Sequence, residues 1–265
     1  SKCVRLLFQP AEEGLGGAFI MIQEGAMDGV DEVYGMHNWP TQKPGKMLVK
    51  PEYFMPIIHT YEVRIIGKGG RASQVEGIID PLNAVIDIQK GIKSLVTEYK
   101  EKGIFFTFSL PYVRTNESPD IVGDVCVLKG FLRSFELDFT VEFKKKIHDL
   151  IISSCRTHGC QNEMKILNVC PAIYNTHKET EHVIRVGKKV LGEDKVTSEG
   201  VPALAGEDFS YFTKLKPGCF FFLSSQRTEG DTLHSDNFDI NDDVIPIAAD
   251  VWLGLVEDRF DLHFE

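Results

Sequence analysis

Residues 55 to 170 switch between two hydrophobic periods in an order that few folds accept. Ile57 to Ile66 alternates and is rich in β-branched residues, the pattern of a half-buried strand. Gly67-Lys68-Gly69-Gly70 breaks it, and Asp80-Pro81 opens a helix, with proline at an early position where its missing N–H costs nothing. Val85, Ile88, Ile92, Leu95, Val96 and Tyr99 follow at three- and four-residue spacing, which gives that helix one apolar face. Strands are predicted over Gly103 to Val113 and Asp124 to Phe135. A second amphipathic helix covers 137 to 157, with Phe143, Ile147, Leu150, Ile151 and Ser154 on one side, and a strand covers Glu163 to Val169. The order β-α-β-β-α-β is that of a ferredoxin-like split unit, so residues 55–170 are read as a compact inserted α+β domain.

The flanks read differently. Val4 to Phe8 is a short apolar run bounded by Gln9-Pro10, the pattern of a buried strand. Ala18 to Glu24 is predicted helical, and Asp31 to Met36 is a second strand that ends at His37. After Pro171 come a helix over Glu181 to Leu191 that stops at Gly192, a short strand over Lys195 to Ser198, and a short helix opened by Gly206-Glu207-Asp208-Phe209. An apolar strand over Cys219 to Leu223, a polar loop carrying His234 and a last helix from Val244 to Phe260 complete the chain. Strand and helix alternating in this way indicate an open α/β sheet, built from residues 1–54 and 171–265. Such sheets bind ligands beyond the carboxyl ends of their strands.

Bulk properties exclude several classes. The net charge of −10 over 265 residues argues against nucleic acid or an anionic membrane as the main partner, since both need a basic face. No stretch approaches the ~20 apolar residues of a membrane span. The six cysteines form no C-x-x-C pair and read as reduced, mostly buried thiols, which suits a cytoplasmic location. The chain opens on Ser1-Lys2-Cys3-Val4-Arg5, which reads as the middle of a fold; the expectation is a truncated N-terminus.

Three short segments concentrate chemistry-bearing side chains. In Gln9-Pro10-Ala11-Glu12-Glu13-Gly14, adjacent carboxylates point different ways, so one can hold a cation while its neighbour accepts a proton from water. His37 follows Gly35-Met36 at a predicted strand end, and His234 lies in Thr232-Leu233-His234-Ser235. Taken singly, each is ordinary: an acidic loop, a structural histidine, a polar loop. Together, Glu13, His37 and His234 supply the oxygen and imidazole donors that zinc, manganese or cobalt accept.

The ordered strings Leu6-Leu7-Phe8-Gln9-Pro10-Ala11-Glu12-Glu13-Gly14, Tyr34-Gly35-Met36-His37, Gly67-Lys68-Gly69-Gly70, Asp80-Pro81, Gly206-Glu207-Asp208-Phe209 and Leu233-His234-Ser235 span the whole chain. In this order they resemble metal-dependent amidohydrolases of the aminoacylase/carboxypeptidase superfamily. That group includes hippurate hydrolases, auxin-conjugate hydrolases, N-acetyl-diaminopimelate deacetylases and thermophilic carboxypeptidases. The resemblance implies an α/β metallohydrolase catalytic domain, present here in part, with an inserted lid and dimerisation domain, and a homodimer formed through that lid. It implies Glu12 as general base and Glu13, His37 and His234 as ligands in a site of two divalent ions, zinc or manganese, with cobalt and nickel acceptable to the same donors. The implied reaction is hydrolysis of the amide of an N-acyl amino acid or short peptide by metal-activated water.

Two departures bear on turnover. A His-x-Cys-Gly-His-Asp segment, which completes the metal site in the family, is absent from these 265 residues. Where the family reads Gly-Lys-Gly-Gly-His-Ala, this chain has Arg71, and where it often has Pro-His, this chain has Val75-Glu76. Arginine can donate to an oxyanion or carboxylate but cannot shuttle a proton at neutral pH. Asn116 and Arg133 match the family's lid residues, so Arg71, Asn116 and Arg133 are the expected substrate contacts, Arg133 bidentately to a carboxylate. The alternative is a non-catalytic homologue that binds a small acidic ligand and dimerises through its lid.

Overall fold

A computed structural model describes residues 3–14, 16–230 and 232–264. The chain divides into two units, Ser1–Met55 with Pro171–Glu265, and Pro56–Cys170. The first unit begins with α1 (Gly17–Gln23), β1 (Val33–Trp39), β2 (Met47–Leu48) and β3 (Glu52–Met55). The second holds β4 (Ile57–Ile66), β5 (Gly70–Arg71), α2 (Pro81–Glu101), β6 (Phe106–Arg114), β7 (Ile121–Val122), β8 (Val125–Ser134), α3 (Leu137–Thr157) and β9 (Gln161–Cys170). The chain then returns to the first unit through β10 (Ile173–Asn175), α4 (His177–Leu191), β11 (Val196–Thr197), α5 (Ser210–Leu215), β12 (Gly218–Ser224) and α6 (Val244–Phe260).

In the second unit, β6-β8-β4-β9 form one antiparallel sheet. Alternation along β4 sends Tyr61, Val63 and Ile65 into a core shared with Val85, Ile88 and Ile92 of α2 and Phe143, Ile147 and Ile151 of α3. The apolar stripes read from helical spacing are thus the stripes that are buried. Asp80 caps α2, its Oδ1 accepting from the Leu82 N–H at 2.9 Å, directly before the proline that needs no partner. The short pair β5–β7 lies apart from the main sheet.

The first unit is built on a mixed sheet, β1-β12-β2-β11, in which β1 and β12 run parallel. Every residue of β12 is buried. Phe220 and Phe222 face one cluster with Phe54, Phe209 and Phe212, while Cys219 and Phe221 face another with Val183, Val251 and Leu255. That two-sided cover explains why Cys219 to Leu223 is an unbroken apolar run rather than an alternating one. β3 and β10 pair as a separate ribbon, and the Asn175 side chain both donates to the Phe220 carbonyl and accepts from the Phe220 N–H, each at 2.8 Å.

One expectation fails here. Residues 4 to 8 do not form a buried strand: Leu6 is 73% and Phe8 88% exposed, and no described strand pairs with them. A doubly apolar strand needs cover on both faces, and this segment lacks it. It is held instead by Arg5, whose Nη1 donates to the carbonyls of Ala26 and Asp28 at 2.8 and 2.9 Å, and by Leu7, which packs on the core. The short strands β2, β3 and β10 have no counterpart in the sequence reading. Cys126, Cys155 and Cys219 are buried, whereas Cys3 is exposed. Among the described residues no helix is long and apolar enough to cross a membrane.

Candidate functional site

His37 sits near the carboxyl end of β1, opposite Phe222 of the parallel neighbour β12, and the loop after β12 carries His234. Both imidazoles therefore lie toward the end of a parallel pair at which open sheets bind ligands. The rings of Trp39 and Phe222 stack with centroids 4.1 Å apart, and His37 meets both edge-on at 6.3 and 6.4 Å. Its Nδ1 lies 2.5 Å from the Asn38 carbonyl, so Nδ1 carries the proton there and Nε2 remains the free donor atom.

The Gln9 to Gly14 loop reaches the same place. His234 Nε2 and Glu13 Oε1 are 3.5 Å apart, both well exposed. Burial raises the pKa of Glu12, with the negative charge of Asp208 acting the same way, and His37 and His234 pull it back down. Glu12, Glu13, His37 and His234 thus converge within the first unit from three separate stretches of chain. Ala11 and His234 hold positive φ angles of 56° and 64°, a left-handed conformation that costs a non-glycine residue roughly 1–3 kcal/mol and persists only where the surroundings impose it.

Glu207 and Asp208 also belong to this place. One oxygen from each of Glu12, Glu207 and Asp208 lies within 4.8 Å of the others, and Glu207 and Asp208 are buried. Asp208 accepts from the Ala18 N–H at 2.9 Å and from Gln9 Nε2. Glu207 Oε1 accepts from the Phe209 N–H at 3.1 Å. Burial pushes the Glu207 carboxyl up to about 8, with Glu12 and Asp208 adding to the shift. Phe209 lies against Gly35: a Cβ there would come within 2.6 Å of its ring, so only glycine fits the strand just before His37. The string Gly206 to Phe209 was legible as a motif, but which residues its carboxylates serve was not, because those partners lie some 190 residues away.

Arg71, Asn116 and Arg133 belong to the second unit. Arg71 is exposed on β5. Asn116 spends its amide hydrogens on its own loop, with Nδ2 donating to the carbonyls of Ser118 and Ile121 at 2.6 and 2.5 Å. Arg133 is half-buried on β8, its guanidinium carbon 5.1 Å from the centre of the Phe131 ring, and burial lowers its pKa. Its Nε is buried and has no hydrogen-bond partner among the described residues.

Comparison with known proteins places the chain in a family. The pattern of Peptidase family M20/M25/M40 matches residues 1–258, and the chain belongs to that family. It is 30% identical to thermostable carboxypeptidase 1 of Saccharolobus solfataricus, over 93% of this chain and 63% of that protein. It is 27% identical to the hippurate hydrolase of Campylobacter jejuni, over 95% of this chain and 66% of that enzyme. The chain thus spans under two thirds of the length of the first of these relatives. Among solved structures it superposes with a TM-score of 0.77 on Bacillus subtilis YxeP, described as a dinuclear metal-binding peptidase of the M20 family, at 22% identity, covering 96% of this chain and 64% of that one.

Proposed function

We propose that the polypeptide hydrolyses the amide bond of N-acyl amino acids or short peptides with two divalent ions, and that the first unit supplies the base and part of the metal site. The observation that carries this reading is the convergence of Glu12, Glu13, His37 and His234 beyond the parallel pair β1–β12. Glu13, His37 and His234 offer one oxygen and two imidazole nitrogens, a donor set that fits zinc or manganese. A divalent ion held there would lower the pKa of a water and polarise the scissile carbonyl. Glu12 would take the proton from that water and return it to the leaving amine; its pKa, raised by burial with Asp208 acting the same way, suits a group that must both accept and give. Among residues of the second unit, Arg71, Asn116 and Arg133 are the proposed substrate contacts, and the Arg133 guanidinium, whose Nε has no hydrogen-bond partner among the described residues, suits a carboxylate. Self-association through the second unit, with its exposed edge strands β6 and β9, is part of the same reading.

Glu12→Gln and Glu13→Gln separate the two carboxylate roles. In a version of the chain extended to carry a His-x-Cys-Gly-His-Asp segment, with zinc or manganese supplied and an N-acyl amino acid as substrate, Glu12→Gln should retain its metal while the rate falls by about 10²-fold or more. Glu13→Gln should lose metal and recover part of its rate when more is added, because a neutral amide is a poorer ligand than a carboxylate. Metal content by mass spectrometry beside turnover decides it. Equal metal loss in both variants would overturn the division of labour. An extended wild type that is silent with every metal, with Arg71→His silent as well, would overturn the hydrolase reading.

A further inference from the structure

Asp208 is a buried carboxylate of the first unit that touches the loop of Glu12 and Glu13 at both ends. Its Oδ1 accepts from the side chain of Gln9, which opens the loop, and its Oδ2 accepts from the Ala18 N–H, just after the loop closes into α1. Between these two contacts the chain makes the turn in which Ala11 holds φ at 56°. The turn is tight: a Cβ on Gly17 would sit 1.7 Å from the Pro10 carbonyl oxygen, so the two ends of the loop lie directly against each other. Glu12, at the centre of this turn, contributes an oxygen to the cluster with Asp208 and Glu207. Asp208 is itself anchored from behind. The next residue, Phe209, is 7% exposed and stacks among Phe220, Phe212 and Gly35 of the core.

We infer that Asp208 is a positioning residue: it clamps the Gln9–Ala18 loop shut and so fixes where Glu12 and Glu13 point. The catalytic importance of this clamp rests on the function proposed above, but the clamp does not. Each of its two oxygens accepts from an N–H at a different end of the loop, so Asp208 ties those two ends together. A left-handed Ala11 needs such a restraint, because the free chain relaxes away from that conformation. The clamp depends on hydrogen-bonding shape rather than on charge. Asparagine at 208 keeps an oxygen for the Ala18 N–H, and its amide donates to Gln9 once the Gln9 amide turns over.

The test compares Asp208→Leu, Asp208→Asn and Gln9→Leu in the full chain by hydrogen exchange and mass spectrometry, followed by titration with cobalt(II) chloride alone and its visible absorption. Asp208→Leu should speed exchange in peptides covering residues 9–20 by about tenfold or more, the factor that losing one or two buried hydrogen bonds implies. Exchange in β12 should stay unchanged. Asp208→Asn should stay near wild type. Gln9→Leu, which removes a single partly buried bond and spares the core, should speed exchange over 9–14 alone, so the idea remains testable if Asp208→Leu does not fold. Unchanged exchange over 9–20 in Asp208→Leu or Gln9→Leu, or equal acceleration in β12, would overturn the clamp. If wild type binds cobalt, Asp208→Leu should bind it several-fold more weakly with an altered spectrum; identical binding would overturn the positioning role. If wild type binds none while exchange behaves as stated, the clamp stands and the donors present in this chain do not suffice to hold cobalt.

Discussion

The two units of this chain solve the folding problem in different ways. The second, Pro56–Cys170, is continuous in sequence, and its four-stranded antiparallel sheet buries one face under two 21-residue helices around a single core. The first is assembled from two distant stretches. Its sheet mixes parallel and antiparallel pairs, two of its strands are only two residues long, and its apolar residues divide into two clusters on either side of β12. Most ligand-type residues and the strained non-glycine positions Ala11 and His234 lie in the first unit. Regular, well-packed structure is concentrated in one unit and chemistry in the other. The core of the second unit is positioned to absorb strain-free packing, whereas the first carries left-handed backbone and buried carboxylates that its neighbours must hold in place.

This contrast breaks most readily at the core of the second unit. Phe143 is fully buried and meets Tyr99, Phe106, Phe108 and Phe139 with ring centroids 4.9–5.5 Å apart. Phe143→Ala should cost about 3–5 kcal/mol. Both tryptophans, Trp39 and Trp252, lie in the first unit, so tryptophan fluorescence follows that unit while far-ultraviolet circular dichroism follows both. In urea, Phe143→Ala should advance a circular-dichroism transition without moving the tryptophan one. If both transitions shift together, the units unfold as one and the comparison fails.

A smaller effect tests the first unit through pH. The folded value of about 8 for Glu207 lies above its ordinary 4.5, so the protonated acid favours the fold. Its contribution is complete below about pH 4.5 and is lost as pH rises through about 8. In the metal-free chain, the tryptophan-monitored stability should therefore decline over that window. Glu207→Gln, neutral at every pH, should remove this part of the slope and stabilise the first unit at pH 8 by roughly 2–4 kcal/mol. The circular-dichroism transition of the second unit should keep its pH profile. A Glu207→Gln variant whose tryptophan transition retains the wild-type slope would show that the buried carboxyl is not held protonated.

The weakest effect belongs to the open face of the second unit. Lys129 and Glu62 pair across β8 and β4 at 2.8 Å, with the lysine side chain 47% exposed. Lys129→Met should leave stability nearly unchanged, since an exposed pair gains little over its solvated ions. A larger loss on thermal melting would mean that the face is covered in solution, which would sharpen the proposal of self-association.

The second unit was the more legible because its signals are local. Ile88 and Ile92 on α2, and Phe143 and Ile147 on α3, announce their buried faces through spacing along their own helix, and Asp80-Pro81 announces the start of α2 through neighbouring residues. Legibility fell wherever a residue's environment came from far along the chain. Val4 to Phe8 has the composition of a core strand, yet pairing with a sheet is a long-range event, and the segment pairs with no described strand and is mostly exposed. Met47–Leu48 and Val196–Thr197 pair with each other, but neither stretch is long enough to show a period. At the candidate site, Glu12, Glu13, His37 and His234 stood out by residue type and motif, whereas the service Asp208 gives to Gln9 and Ala18 did not.

The sequence by itself determined the periodicities, the helix caps, the breaks between elements and the set of side chains able to hold a cation or move a proton, because each of these depends on residues within a turn or two of one another. Only the tertiary structure decided that His234 lies 3.5 Å from Glu13, that Glu207 is buried deeply enough to hold its proton, and that Asp208 closes the loop of Glu12. Electrostatic shifts and hydrogen bonds fall off within a few ångströms, so they depend on which distant segments the packed core brings together.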